Sequence, residues 1–212
     1  MARKEKKQRT LSEEEKKRLE SFEKISADME EQGYRRRDLI INMNKATWFT
    51  IILLFPLLII GYGGYWLVHG QTDFFHGTNL LVALIAFLVL VVVHELVHGI
   101  SWSFFTPNHF KDIQFGFMRD TLSPYCTCLV PLKKGQYVFG TVMPLILLGI
   151  VPMIVGIVLA NPTVLFVGII MADAAGGDIM ILHKLLTFKS TASELVYMDH
   201  PTEAGSVVFE KG

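Results

Sequence analysis

Residues 80–99 read LLVALIAFLVLVVVHELVHG, and this stretch decides the fold class. Its first 14 residues contain nothing polar. A helix rises ~1.5 Å per residue, so the stretch is long enough to cross a hydrocarbon core of ~30 Å. It ends, however, in His94, Glu95 and His98, and an unpaired charge inside a membrane costs ~2.5 kcal/mol or more. The sequence therefore predicts a transmembrane helix whose three ionisable groups need partners.

The rest of the chain supports a membrane protein. Of its 212 residues 51% are hydrophobic, and the mean hydropathy of +0.39 is high for a soluble protein. Four predominantly apolar windows are long enough to span a bilayer as helices: 46–69, 77–105, 136–160 and 163–182. We expect an all-α integral membrane protein with four transmembrane helices, in contact with the lipid bilayer.

Basic residues are distributed unevenly along the chain. Residues 1–45 hold 13 of the 20 Lys and Arg, and the others fall mainly in the loop between the second and third spans and in the tail. The two remaining loops, HGQTDFFHG and NPT, carry none. Because cytoplasmic loops are enriched in Lys and Arg, both termini and the central loop are predicted to be cytoplasmic, with the spans in the cell membrane.

Three domains follow from this pattern: a charged N-terminal arm over 1–45, a four-helix membrane domain over 46–188 and a C-terminal tail over 189–212. In the arm, Ser12 and Glu15 have capping-box spacing before an amphipathic helix predicted over 12–31. Its mixed charges argue against a nucleic-acid partner. The arginines of RRR, 35–37, are expected to contact lipid headgroups.

Shorter signals lie in the central loop and the tail. IQFGF and YCTCLV alternate apolar and polar residues around the turn-like RDTLSP, which predicts a small β-hairpin near the cytoplasmic face. Cys126 and Cys128 in this loop face a reducing compartment, so we expect two small residues in a buried strand rather than a disulfide or a metal pair. The tail contains a possible short strand, SVVFE.

HELVH carries the clearest chemical signal. His94 and His98 are four residues apart and project from one helix face, and Glu95 lies ~100° around the helix. Two neutral imidazoles and one further ligand leave Zn²⁺ an open position, and a neighbouring carboxylate can act as general base. A structural hydrogen-bond cluster is the alternative. Ligation removes the cost of burying these polar groups, so the sequence favours a metal site.

The fourth span offers two carboxylates as the third ligand, in MADAAGGDIMIL. The second span reaches His94 about 16 residues from its outer end, and the fourth reaches Asp178 after about 15 but Asp173 after only about 10. Depth therefore favours Asp178, and Asp173 stays the alternative. The small residues 174–177 would let this helix approach the second span or unwind locally.

HELVH in one transmembrane helix, GGD in a later one and a β-hairpin between them resemble the site-2 protease group of intramembrane zinc metalloproteases. The four-span plan resembles more closely a bacterial family of zincin membrane peptidases, over about residues 45 to 209. The resemblance implies zinc ligands at His94, His98 and Asp178 and a catalytic Glu95. In this chain Asp178 is followed by Ile179, where the site-2 proteases have glycine.

These observations predict a zinc-dependent intramembrane metalloendopeptidase. Its partner would be a membrane protein or peptide substrate, cleaved within or next to the membrane near the cytoplasmic leaflet. The rival hypothesis is a non-catalytic membrane protein that binds metal or clients, either an inactive relative or a transport module. Transport is disfavoured because the first and third spans are almost bare of ionisable groups.

Overall fold

The computed structural model describes residues 12–70, 78–118 and 123–212. The helices are α1 Glu13–Glu31, α2 Met43–His69, α3 Leu80–Ser103, α4 Lys134–Pro144, α5 Val151–Val158, α6 Pro162–Ala174 and α7 Gly176–Thr187. The strands are β1 Arg35–Ile40, β2 Ile113–Met118, β3 Ser123–Cys128, β4 Leu132–Lys133, β5 Glu194–Asp199 and β6 Gly205–Lys211. A 3₁₀ turn, His109–Asp112, precedes β2, and a π-helical turn, Leu145–Ile150, joins α4 to α5.

Three helical segments are long and apolar enough to cross a membrane: α2, α3 and the segment Lys134–Val158 formed by α4, the π turn and α5. A fourth span exists if α6 and α7, which are bent by 46° at their junction, cross together. All four lie on the predicted windows. The described chain is that of a membrane protein.

The surface of the spans fits a lipid environment. In α3, Leu81 and Leu88 are 67% and 60% exposed, whereas Ala83 is 1% exposed. Helices α5 and α6 are in close contact, since a Cβ added to Gly156 would lie 2.3 Å from the backbone nitrogen of Leu165. Large apolar side chains outside and small residues at helix contacts are the arrangement expected in a bilayer, where water does not drive helices together.

A four-stranded antiparallel sheet corrects the all-α prediction. Its strand order is β1-β6-β5-β4, so the N-terminal arm supplies one edge and the tail supplies the centre. The register pairs Arg37 with Val208 and Met198 with Val207. The predicted strand SVVFE is confirmed within β6. Strand β1 was missed because RRRDLI is highly charged, as suits the edge of a sheet.

The sheet lies between α1 and the ends of the spans. On one face, Phe22 of α1 packs with Val207 and Phe209. On the other, Tyr197 and Val208 pack with residues of α3, α4 and α7. The predicted helix in the arm is confirmed, with Ser12 and Glu15 forming the capping box at its start.

The arginines expected at lipid headgroups make protein contacts as well. The Arg36 guanidinium lies 4.7 Å from the centre of the Phe22 ring and pairs with Glu23 and Asp38. Arg37 pairs with Glu210 across the sheet. The charge of this segment therefore helps attach β1 to α1 and β6.

The predicted hairpin is confirmed as β2 and β3, which pair Phe115 with Cys126, although the turn at 119–122 lies outside the described residues. It packs on α3 where Gly99 has no side chain, because a Cβ there would lie 2.3 Å from the Phe115 ring. Cys126 and Cys128 are free thiols in β3. Burial raises the pKa of Cys128 to about 12, so its thiolate, the reactive form, is scarce at neutral pH.

Candidate metal centre

His94 and His98 lie one turn apart near the end of α3, and they are 8% and 4% exposed. Their Nε2 atoms are 3.2 Å apart, so both rings direct the same nitrogen to one point. The i, i+4 spacing brings the two side chains together on one helix face. The structure thus agrees with the pairing expected from HELVH.

Asp178 reaches this point from a break between two helices. Helix α6 ends at Ala174, α7 begins at Gly176, and Asp178 lies in the first turn of α7. One carboxylate oxygen, Oδ2, is 3.0 Å from His94 Nε2, and Oδ1 is 3.5 Å from His98 Nε2. One ligand atom from each of the three residues lies within 4.8 Å of the other two.

The small residues before Asp178 were expected to let this segment unwind locally or approach the second span. The segment does bend by 46° at this point, but the close contact at Gly176 is with α2, the first span, rather than with α3. A Cβ on Gly176 would lie 2.8 Å from Thr50 Oγ1 in α2. Asp173, the alternative ligand, is outside the three-residue group, and its Oδ1 is buried without a hydrogen-bond partner in the described chain.

The contacts of His98 determine which of its nitrogens is available. Its Nδ1 lies 2.8 Å from the carbonyl oxygen of Gly140 in α4, and only a protonated Nδ1 can donate to a carbonyl. In the neutral ring Nε2 is then an acceptor. The Trp102 ring stacks on His98, with centroids 5.1 Å apart and planes at 14°.

The His94 tautomer decides how the three groups interact, because its Nε2, 3.0 Å from Asp178 Oδ2 and 3.2 Å from His98 Nε2, donates in one neutral tautomer and accepts in the other. When the His94 proton is on Nδ1, a cation at the shared point satisfies both imidazole nitrogens and the carboxylate. Two nitrogens and one carboxylate oxygen are also ligand types that Zn²⁺ accepts, with a fourth position left for water or substrate. This set of ligand atoms therefore fits zinc.

Glu95 is adjacent to the cluster without belonging to it. Its side chain is half-buried, and the backbone of Cys126 in β3 lies close enough to interact with it. The hairpin therefore borders the site on the side of Glu95. A carboxylate beside three ligand atoms, but not among them, is suited to moving a proton.

The other histidines of the described chain make separate contacts. His69 Nε2 lies 2.7 Å from the Ile157 carbonyl oxygen, and His109 Nδ1 lies 3.1 Å from that of Ser103. His200 Nδ1 accepts the backbone N–H of Glu203 in the tail. His183 is exposed, and His76 lies outside the described residues.

Sequence reasoning missed the residues that support His98. Trp102 follows His98 by one helix turn, so the series His94, His98, Trp102 carried a usable signal. Gly140 contributes a backbone carbonyl, for which the sequence holds no signal. Tyr137, whose carbonyl oxygen accepts the Trp102 indole N–H at 3.1 Å, could not be linked to the motif across 35 residues.

Comparison with known protein families agrees with this geometry. No curated protein and no solved structure matches the chain. A family model described as "Putative zincin peptidase" matches residues 87–193, which is half of the chain and includes His94, His98 and Asp178. The chain belongs to this zincin peptidase family.

Proposed function

We propose that this chain is a membrane-embedded zinc metallopeptidase that hydrolyses peptide bonds within or beside the membrane, near the cytoplasmic leaflet. One observation carries the proposal: His94, His98 and Asp178 bring three possible ligand atoms within 4.8 Å of one another inside apolar helices. The zincin peptidase family supports the choice of zinc and of peptide hydrolysis.

Each site residue has a role in this proposal. His94, His98 and Asp178 hold the metal, and Gly140 keeps the proton of His98 on Nδ1, away from the metal. When bound, zinc supplies a Lewis acid that polarises the scissile carbonyl and makes water a nucleophile at neutral pH. Glu95 accepts the proton of the attacking water and then delivers it to the leaving amine nitrogen.

The hairpin is the proposed substrate platform. Strand β3 pairs only with β2 in the described two-stranded sheet, and on its other edge the Cys128 N–H is bonded to Asp199, so a substrate segment would pair along the rest of that edge. The Cys126 contact with Glu95 brings this edge to the site. A substrate helix must be unwound before its carbonyl is accessible, and an extended segment added to β3 would meet that requirement.

The proposed setting follows from the charge distribution. Both termini and the central loop would be cytoplasmic, and the spans would lie in the cell membrane. The substrate would be a membrane protein or a membrane-associated peptide, and nucleic acid is not an expected partner.

Metal analysis of the detergent-purified protein and its Glu95→Gln variant tests the proposal. Both should hold about one zinc per chain, because Glu95 is not a ligand. Hydrolysis of fluorescein-labelled casein is then measured for both, and general acid–base catalysis typically contributes ~10²–10⁴-fold in rate. Absence of stoichiometric zinc from the parent, purified without chelators, would overturn the proposal. Zinc in both proteins with equal hydrolysis rates would remove Glu95 from the mechanism.

A further inference from the structure

Asp199 is a half-buried carboxylate that joins three parts of the chain. It is the last residue of β5, in the tail and beyond the family-matched segment. Its Oδ1 accepts the Tyr137 hydroxyl at 2.5 Å, and its Oδ2 accepts the backbone N–H of Cys128 at 2.8 Å. One carboxylate therefore connects the tail to the start of the third span and to the end of the hairpin.

The connection to the third span continues to His98. Tyr137 begins the turn of α4 that ends near Gly140, whose carbonyl oxygen accepts the His98 Nδ1–H. The same turn contacts Trp102, since the Tyr137 carbonyl accepts its indole N–H and the Tyr137 ring stacks on it at 5.5 Å. Trp102 in turn stacks on His98. The position of this turn therefore determines both contacts that orient the His98 ring.

The fit between Trp102 and this turn leaves little freedom. A Cβ on Gly140 would lie 2.1 Å from the Trp102 ring, so the indole lies directly against the backbone that holds His98. Tyr137 and Trp102 are 1% and 4% exposed. A shift of Tyr137 would consequently be transmitted to the Gly140 carbonyl and to the indole.

The connection to the hairpin leads to Glu95. Cys128, whose N–H bonds to Asp199, is two residues along β3 from Cys126, whose backbone interacts with the Glu95 carboxylate. Asp199 is thus bonded to the hairpin, which contacts Glu95, and to α4, whose Gly140 carbonyl contacts His98.

We propose that Asp199 and Tyr137 are positioning residues of the metal centre, which hold the His98 imidazole and the hairpin in place from the C-terminal tail. The inference rests on the proposed function, because it assigns these residues to a zinc site. Hydrogen-bonded groups behind metal ligands orient them, and their loss typically weakens metal affinity ~10–100-fold.

Tyr137→Phe in the full chain tests the inference, with Tyr197→Phe as the matched control. Both tyrosines are buried, and their rings stack at 6.2 Å. The Tyr197 hydroxyl has no hydrogen-bond partner in the described chain, whereas that of Tyr137 bonds to Asp199. Each substitution removes one hydroxyl from the same stack, and only Tyr137→Phe breaks the connection to Asp199.

Zinc affinity, by competition with a chromophoric chelator, and the visible spectrum of the cobalt-substituted protein are measured on folded monomer in detergent. Tyr137→Phe should still bind one metal ion per chain, but its zinc affinity should be ~10-fold or more weaker than that of the parent and its cobalt spectrum should be altered. Tyr197→Phe should match the parent in both measurements. Asp199→Asn, which keeps one acceptor oxygen, should also weaken zinc binding, and it carries the test if Tyr137→Phe yields no folded monomer.

A purely structural role predicts a different result. Tyr137→Phe would then lower thermal stability while zinc affinity and cobalt spectrum stayed at parent values, and this outcome would overturn the inference while leaving the peptidase proposal intact. An equal loss of affinity in Tyr197→Phe would also overturn it, since ring packing would be responsible. A parent without zinc would overturn the peptidase proposal, and this inference with it.

Discussion

Asp178 and Asp199 are both half-buried carboxylates near His98, but their hydrogen-bond partners differ. Asp178 lies 3.0 Å from an imidazole nitrogen of His94 and 3.5 Å from one of His98. Asp199 accepts hydrogen bonds from a hydroxyl and a backbone N–H. Asp199 has two fixed donors, whereas the partners of Asp178 are imidazole nitrogens that donate or accept according to their tautomer and can instead share a metal with it.

The two carboxylates belong to two regions of the molecule that differ in role. The membrane region, formed by the four candidate spans, brings the three candidate ligands together. The sheet region, formed by α1 and the four-stranded sheet, contains Asp199, which accepts hydrogen bonds from the Tyr137 hydroxyl and the Cys128 N–H. Burial raises the pKa of Asp199, although both donors and the charge of Arg18 act against this effect. Asp199 is therefore occupied by fixed donors, and Asp178 is the carboxylate placed with the two histidines.

The largest expected effect is all-or-none and concerns the sides of the membrane on which the regions lie. A cysteine at position 72, in the loop before the second span and outside the described residues, should react with an impermeant thiol reagent on intact cells, because that loop carries no Lys or Arg. Ser12→Cys, in the sheet region, should react only after permeabilisation. The parent, which has Cys126 and Cys128, is the control. The opposite pattern would reverse the orientation and place the sheet region outside.

Next in size is the loss of a proposed ligand. Asp178→Asn should abolish stoichiometric zinc binding, an effect beyond the ~10–100-fold expected for residues behind the ligands. Asp173→Asn is the matched control in the same span and should retain zinc, because Asp173 lies outside the three-residue group. Metal content of the membrane-inserted variants gives the measurement. Loss of zinc from Asp173→Asn with retention in Asp178→Asn would show that the wrong carboxylate was chosen.

The two regions also differ in how far the sequence alone predicts them. The spans, the hairpin and the candidate ligands depend on signals within single segments: uninterrupted apolar runs, alternation and the i, i+4 spacing of His94 and His98. Asp178 could be placed by counting residues along two helices that cross the same bilayer. Physical constraints from the membrane made these predictions possible.

The sheet could not be predicted in the same way. Pairing of Arg37 with Val208 joins positions at opposite ends of the chain, and no local pattern records it. Strand β4 has only two residues, too few for a periodicity. Asp199 looked like an ordinary polar residue of the tail because its partners, Tyr137 and the Cys128 backbone, come from distant segments.

A smaller effect is expected where the third span meets Trp102. Gly140→Ala should destabilise the protein by ~1–3 kcal/mol, because its Cβ would lie 2.1 Å from the indole and overpack the contact. Gly135→Ala in the same helix is the control, since a Cβ there meets nothing within 4 Å, and it should be neutral or slightly stabilising. Unfolding by titration with a denaturing detergent compares the two. Equal stability of both variants would mean that Trp102 does not pack against this turn as described.

The smallest effect should be confined to the sheet region, and it tests whether that region can loosen locally without disturbing the metal centre. The Ser12 hydroxyl accepts the Glu15 N–H at 3.2 Å, and the Glu15 carboxylate accepts the Ser12 N–H at 2.9 Å. Ser12→Ala removes the first bond and should cost α1 ~1 kcal/mol, which corresponds to ~5-fold faster hydrogen exchange in its first turn. Ser12→Asp, which keeps a capping oxygen, should exchange like the parent.

Because Phe22 attaches α1 to the sheet two turns further on, exchange at Tyr137 and zinc content should not change. If zinc content fell in Ser12→Ala but not in Ser12→Asp, opening of the first turn of α1 would be coupled to the site, and the division between a metal-binding region and a separate positioning region would be wrong.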